Sequence, residues 1–322
     1  MLTLSVIIPA YNRERTIAAT IESVLACGSD AEIIVVDDGS TDRTVEVVQS
    51  FALRVKVIEQ SNSGPSIARN NGFTHSTGDV VAFLDSDDVW LPGVVPDCLR
   101  SLTDHPEIEA LFADTRFGNT GTGYRILSSM PGHGRLEPLL TNRLGPNLFA
   151  LDRTEFVTAM IHRNQVFLGS AFFRRKTLQD GGVFDPELFG GEDYELCLRY
   201  AATHRFAFLA RPLAQYDKHS GGLSSNVDRM AREFALAILK LTDSPSITSK
   251  ERRMALAKFR ALAFGYGYRA YERGEFQEAR SRFAAALRNG GFAPKSAVFW
   301  LACCLPAPVL RTCRRIWQGL HR

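Results

Sequence analysis

The sequence predicts an α/β fold, a doubly wound and mostly parallel sheet followed by a C-terminal helical extension. Three observations carry this. Short β-rich runs alternate with runs of helical spacing through the first hundred residues, polar clusters recur where the β-runs end, and from about residue 227 the pattern becomes wholly helical.

Leu4–Pro9 is the first β-rich run, followed by Ile17, Ile21, Val24 and Leu25 at helical spacing. Glu32–Val36 is almost continuously apolar, as suits a strand buried on both faces of a parallel sheet. A helix carrying Val45, Val48 and Phe51, a strand over Val55–Glu59, a helix over Ser66–His75 and a strand over Val80–Leu84 complete the alternation. Residues 114–165 are rich in Gly, Asn and Thr with weak periodicity, and are expected to be a long irregular insertion, either a binding loop or lid or a disordered segment. Val166–Phe173 then reads as a strand and Glu192–Thr203 as a helix. Helices over 227–242, 250–272 and 275–288 are separated by Pro245 and Gly274; Tyr271 to Ala286 resembles the turn and second helix of a single tetratricopeptide repeat. These shifts divide the chain into residues 1–225, split near 113, and an extension over 226–322.

Hydrophobic residues make up 45% and charged residues 23%, ordinary values for a globular protein. The N-terminus shows neither the basic region nor the cleavage site of a signal peptide, and no run approaches the ~20 apolar residues of a membrane span. The six cysteines lack CxxC or zinc-finger spacing, so they are expected to be reduced thiols of a cytoplasmic chain. The formal charge of +3 hides an asymmetry: from Asn226 onward 18 Lys and Arg face 7 Asp and Glu, a net of +11, leaving −8 on the first 225 residues. After Glu278 no acidic residue occurs, and arginines mix with Trp300, Leu310, Ile316 and Trp317. Such a segment suits the surface of an anionic membrane leaflet; packing of the same residues on the rest of the chain is the alternative. No nucleic-acid partner is expected.

In open α/β sheets ligands bind beyond the carboxyl ends of the strands, which is where the polar clusters fall. Asp85 and Asp87 are two apart at a strand end, so their carboxylates point the same way and repel unless a hard cation such as Mn2+ or Mg2+ sits between them. Asp37 and Asp38 end another strand, where a carboxylate can accept an imide N–H of a nucleobase; N-capping by Ser40, Thr41 or Asp42 accounts for the residues that follow. Arg69 is suited to phosphate or base contacts, with surface pairing to Glu59 or Asp79 as the alternative. Asp193 follows Gly190, Gly191 and Glu192 at a helix start, where the dipole lowers a carboxylate pKa and favours an ionised general base.

VIIPAYNR at 6–13, IVVDDGSTD at 34–42, NSGPSIARNNG at 62–72, GDVVAFLDSDD at 78–88 and GGEDYELCLR at 190–199 together resemble glycosyltransferase family 2, of GT-A fold, over roughly residues 1–222. The resemblance implies an inverting transfer from a nucleotide-sugar donor, a UDP-sugar ahead of a dTDP- or GDP-sugar, to a glycan or lipid-linked acceptor. It makes residues 1–113 the nucleotide-sugar half and 114–225 the acceptor half. It assigns Asp38 to the base, with Pro9, Tyr11 and Asn12 walling it and Asp37, Gly64 and Arg69 nearby. Asp85, Ser86 and Asp87 would meet ribose and metal, His219 would lie near the metal, Asp193 would be the base, and Glu192 would orient its loop or touch the acceptor. The QxxRW motif and membrane spans of processive synthases are missing, which implies one sugar per encounter. The rivals are a nucleotidyltransferase, which needs a Gly-rich basic loop where PAYNRERT stands, and a scaffold that has lost its carboxylates, which are intact here.

Overall fold

The computed structural model describes residues 2–27, 30–119, 123–126, 136–188, 190–217, 227–289 and 294–305. The chain forms two compact units, Met1–Gly222 and Leu223–Arg322.

The first unit opens with four parallel strands, β1 (Leu4–Ala10), β2 (Glu32–Asp37), β3 (Val55–Glu59) and β4 (Val80–Phe83). They are joined by helices α1 (Ile17–Leu25), α2 (Thr44–Gln49) and α3 (Pro65–Thr74). There follow β5 (Val89–Trp90), α4 (Val95–Asp104), β6 (Ala110–Asn119), β7 (Gly123–Ile126), β8 (Asn142–Arg143), β9 (Leu148–Ala150) and α5 (Arg153–His162). β10 (Ala171–Arg174), α6 (Arg175–Gly181), α7 (Glu192–Ala201) and β11 (Phe206–Asp217) complete the unit. Among the described residues these make one 11-stranded sheet in the order β3-β2-β1-β4-β10-β6-β11-β9-β8, with β5 on β11 and β7 on β6. β10 runs against both β4 and β6, whereas β6 and β11 are parallel, so a parallel first half joins a mixed second half.

β1 and β2 lie inside the sheet with both faces covered, and Val6, Ile7, Ile8, Ile34, Val35 and Val36 are fully buried. That double burial is why their sequences show no polar alternation. α3 lies so close to this layer that a Cβ on Gly72 would stand 2.4 Å from Ile7 Cγ2 and 3.1 Å from Val36 Cγ2. Gly72→Ala is therefore expected to cost about 1–3 kcal/mol by overpacking. Urea denaturation checks this, and an unchanged midpoint would contradict the close packing.

Two expectations are corrected. Residues 114–165 are not one irregular insertion: their described part holds the second half of β6, then β7, β8, β9 and α5. The strand expected over Val166–Phe173 is only β10, because a 3-10 turn over Leu168–Ser170 precedes it, with Ser170 Oγ bonded to the Ala113 carbonyl at 2.8 Å. β11, twelve residues long, carries no sequence-based expectation at all.

The second unit consists, among the described residues, of α8 (Val227–Leu241), α9 (Ser249–Arg273), α10 (Phe276–Arg288) and α11 (Pro294–Ala302). Thr248 and Glu251 form a reciprocal capping box at the start of α9, and Gly274, at φ 84°, ends it in the left-handed conformation that glycine favours. Ala270, Tyr271, Ala279, Phe283 and Cys303 form its core, with Phe264, Phe299 and Trp300 packed around them.

Candidate active site

Parallel register aligns the strand ends that matter. Ala10 pairs with Asp37 and Ile7 with Phe83, so the segments after β1, β2 and β4 leave the sheet at the same edge. The order β3-β2-β1-β4 puts the reversal of strand order between β1 and its two neighbours, where α/β sheets form ligand crevices.

On one side of this edge the loops after β1 and β2 lock together. Asn12, the one described non-glycine residue with positive φ (53°), donates its backbone N–H to Ser40 Oγ at 2.9 Å and accepts the Thr41 N–H on Oδ1 at 2.8 Å. Ser40 and Thr41 thus serve the loop pair and not the helix end; only Asp42 reaches the first turn of α2, accepting the Thr44 N–H at 3.0 Å. Asp37 Oδ2 accepts the Ser40 N–H at 2.9 Å, while Oδ1 is buried without a hydrogen-bond partner. The buried Asp38 holds the loop before α3: Oδ1 accepts from Gln60 Nε2 and the Ser63 N–H, and Oδ2 from the Gly64 N–H, each at 2.8 Å. Gly64 sits at φ 89°, a conformation that presents this N–H to the carboxylate. Pro9 is half-buried, and Tyr11 is exposed at this edge and not packed in the core.

On the other side lies the acidic segment after β4. Side chains of Asp85 and Asp87 are 44% and 31% exposed, while Ser86 and Asp88 are buried. The Ser86 and Asp88 carbonyls accept hydrogen bonds from Thr16 and Thr20 of the α1 region, both at 2.8 Å, which fixes the segment. Trp90 anchors its far end: the indole N–H donates to the Gly169 carbonyl at 2.6 Å and the ring stacks on Phe172.

Arg69 joins this segment to the start of α7. It is buried, with Nη2 2.6 Å from Asp85 Oδ1, Nη1 2.8 Å from Glu192 Oε1, and the guanidinium over the Phe184 ring at 5.2 Å. Neither Glu59 nor Asp79 is its partner, and it is not a surface residue. Burial alone would lower its pKa, but the charges of Asp85 and Glu192 hold it well above the usual arginine value. Glu192 is buried too, and its Oε2 accepts the Gly190 N–H at 2.7 Å, a close approach that uses the φ of 107° at Gly190. One oxygen is thus engaged by Arg69 of α3 and the other by the backbone of its own loop. Burial pushes its pKa up, yet Arg69 and the backbone N–H groups outweigh that and hold it below the carboxylate norm.

Asp193 behaves oppositely. The residue is half-buried, and burial of its carboxyl, followed by the Glu192 charge, pushes its pKa up to about 6. The helix-start argument predicted a lowered value; it fails because desolvation and the neighbouring carboxylate exceed the pull of the Tyr194 N–H and Arg69. A base of this strength is still about nine-tenths ionised at neutral pH and accepts a proton more readily than an ordinary Asp.

Arg13, in the segment after β1, joins the site although no local pattern assigns it a role. It lies 3.5 Å from Asp87 Oδ2, so each member of the acidic pair faces a guanidinium. The signal was available, a cation on the neighbouring strand-end loop. Asp185 closes a turn by accepting the Glu187 N–H at 2.9 Å. His219 and residues 306–322 lie outside the described residues.

Comparison with known proteins agrees with this layout. Residues 5–164 match the profile of glycosyl transferase family 2. Succinoglycan biosynthesis protein ExoU of Rhizobium meliloti is 31% identical over 209 residues, covering 62% of this chain and 56% of that protein. Among solved structures, S. aureus TarS 1–349 in complex with UDP-GlcNAc superposes with a TM-score of 0.70 at 18% identity, covering 98% of this chain and 88% of that one. The mannosyltransferase PcManGT of Pyrobaculum calidifontis, in complex with GDP-Man and Mn2+, gives 0.58 at 18% identity, with 99% and 84% covered. At such identity these two speak for the GT-A fold alone. The matches span 13% to 56% of the length of the curated relatives.

Proposed function

Through residues 5–164 the chain belongs to glycosyl transferase family 2, and on that premise we propose that it transfers a sugar, with inversion, from a UDP-sugar to a hydroxyl of a glycan or lipid-linked glycan acceptor. The observation that carries this reading is the Arg69 bridge from Asp85 to Glu192, which makes the acidic segment and the Asp193 loop one charged cluster at the sheet edge. The acceptor hydroxyl gives its proton to Asp193 as its oxygen attacks the anomeric carbon. The bond to the nucleoside diphosphate breaks on the opposite face, so the anomeric configuration inverts. Glu192 and Arg69 act by holding the loop in place.

Asp85 and Asp87 offer hard oxygen donors two residues apart, and both are accessible, so they fit Mn2+ or Mg2+. No cluster of three or more protein ligands occurs among the described residues, so diphosphate oxygens and water would complete the shell. Such an ion would supply positive charge to the leaving diphosphate. A UDP-GlcNAc complex and a GDP-Man complex with Mn2+ among proteins of like fold support a nucleotide-sugar donor and a metal. ExoU, named for succinoglycan biosynthesis, supports a polysaccharide product. The described cysteines Cys27, Cys98, Cys197, Cys303 and Cys304 are all free thiols, which supports the cytoplasm as the site of reaction.

A thermal-shift panel of nucleotide sugars with Mn2+ tests the donor. A UDP-sugar at a hundred times its Kd should stabilise by about 2.7 kcal/mol; a panel without any shift would overturn the reading. Asp38→Ala should weaken UDP binding by about 1–3 kcal/mol, through loss of a base contact and of the loop anchor. Calorimetry measures it, and unchanged affinity would confine Asp38 to holding the loop.

A further inference from the structure

We propose that Arg13 binds the diphosphate of the donor and, until the donor arrives, keeps a lone divalent cation off Asp87. The inference rests on the reading of Asp85 and Asp87 as the cation-binding pair. Arg13 reaches both segments that frame the crevice: Nη1 donates to the Tyr11 and Asn12 carbonyls, both at 3.2 Å, and Nη2 lies 3.5 Å from Asp87 Oδ2. Its guanidinium therefore stands between the loop that would wall the base and the segment that would hold the metal. A nucleotide with its base on the first and its metal on the second must pass its phosphates through that interval. An arginine there meets them with a planar, permanently charged fork.

The two arginines on the acidic pair are held differently, and that decides which can change partner. The Arg69 side chain is 5% exposed, 2.6 Å from Asp85, and pinned by Glu192 and the Phe184 ring. The side chains of Arg13 and Asp87 are 38% and 31% exposed, and their contact is the longer one. The Arg13 backbone is fixed, its N–H on Thr44 Oγ1 at 2.7 Å and its carbonyl accepting from the Thr16 and Ile17 N–H groups at 3.0 Å. A change of partner therefore needs rotation of the side chain alone. Glu14, the adjacent acid, pairs with Arg43 instead. An ion pair this exposed contributes little to stability, so Asp87 releases it at little cost. A guanidinium beside Asp87 nevertheless repels a second cation there. A diphosphate relieves that repulsion by taking the guanidinium, and it adds oxygen ligands for the cation.

The test compares the full wild-type chain with Arg13→Gln, which keeps a donor for the Tyr11 and Asn12 carbonyls but loses the charge. Electron paramagnetic resonance counts free Mn2+ with and without UDP, and calorimetry measures UDP affinity with Mn2+ present. Without UDP the variant should bind Mn2+ about three- to tenfold more tightly than the wild type. With Mn2+ present it should bind UDP about tenfold or more weakly, for a lost charge-assisted hydrogen bond. Arg13→Lys keeps the charge and should return Mn2+ affinity to near the wild-type value. The opposite signs are diagnostic: a merely structural residue would weaken both affinities, and an idle surface pair would change neither. Two affinities that move the same way, or either one unchanged within about twofold, overturn the inference. A wild type that binds no Mn2+ even with UDP strikes the metal reading itself, and the inference with it.

Discussion

Asp193→Asn is expected to lower kcat by on the order of 10²- to 10⁴-fold while UDP affinity changes by less than about threefold. Asparagine has nearly the same shape and can still accept the Tyr194 backbone N–H that the carboxylate accepts. What it cannot do is take a proton, so the loss should fall on the chemical step. Single-turnover transfer and calorimetric UDP titration separate the two quantities. A kcat within tenfold of wild type would move the base elsewhere. A collapse of UDP binding would make Asp193 a structural residue of the α7 start.

Arg69→Leu should have the largest effect on stability, a loss of about 3–5 kcal/mol from breaking a buried ion pair on one side. The penalty falls mainly on Glu192, which is buried; Asp85 is nearly half exposed and relaxes into water. The sign with pH follows. In the wild type Glu192 has a depressed pKa, so its pairing stabilises the fold above the ordinary carboxylate range and is lost as pH falls through the depressed value. Without Arg69 the buried carboxylate has a raised pKa and its penalty is relieved by protonation. The gap between variant and wild type should therefore narrow as urea denaturation is repeated at lower pH. A loss below about 1 kcal/mol at neutral pH would show that Arg69 does not carry the cluster.

Of the four strands that build the crevice, β1, β2 and β4 were legible because each is short, apolar and buried on both faces, β3 at the sheet edge was legible from Val55, Val57 and Ile58, and the helix expected over Ser66–His75 is α3 shifted by one residue. The second half of the sheet was not. Asp114, Thr115 and Arg116 interrupt β6 where it pairs with β11, and Arg211 and Pro212 sit in β11 beside two register shifts, so neither strand shows clean alternation. The run before β10 is apolar enough for a strand, but Gly169 and Ser170 turn it.

At the site, positions were readable and partnerships were not. Strand-end clusters point to Asp38 and Asp85, and the Gly190-Gly191 helix start points to Asp193, from local pattern alone. The Arg69–Glu192 pair spans 123 residues of sequence, and no spacing rule reaches that far. The reversed pKa shift of Asp193 has in part the same origin: the helix dipole and the adjacent Glu192 charge are local, while burial, its largest cause, and the Asp85 charge arise only when the loops meet.

The central claim, that Asp193 is a base tuned by burial and by Glu192, is tested most directly by the pH dependence of kcat/KM in the wild type and in Glu192→Gln. The wild-type rate should rise with pH through an acid limb at about 6 and level off above it, because the carboxylate must be ionised to act. Removing the Glu192 charge removes a cause of the upward shift, so the limb should move to lower pH. A wild-type profile without an acid limb near 6, or a limb that stays in place in Glu192→Gln, would contradict the account.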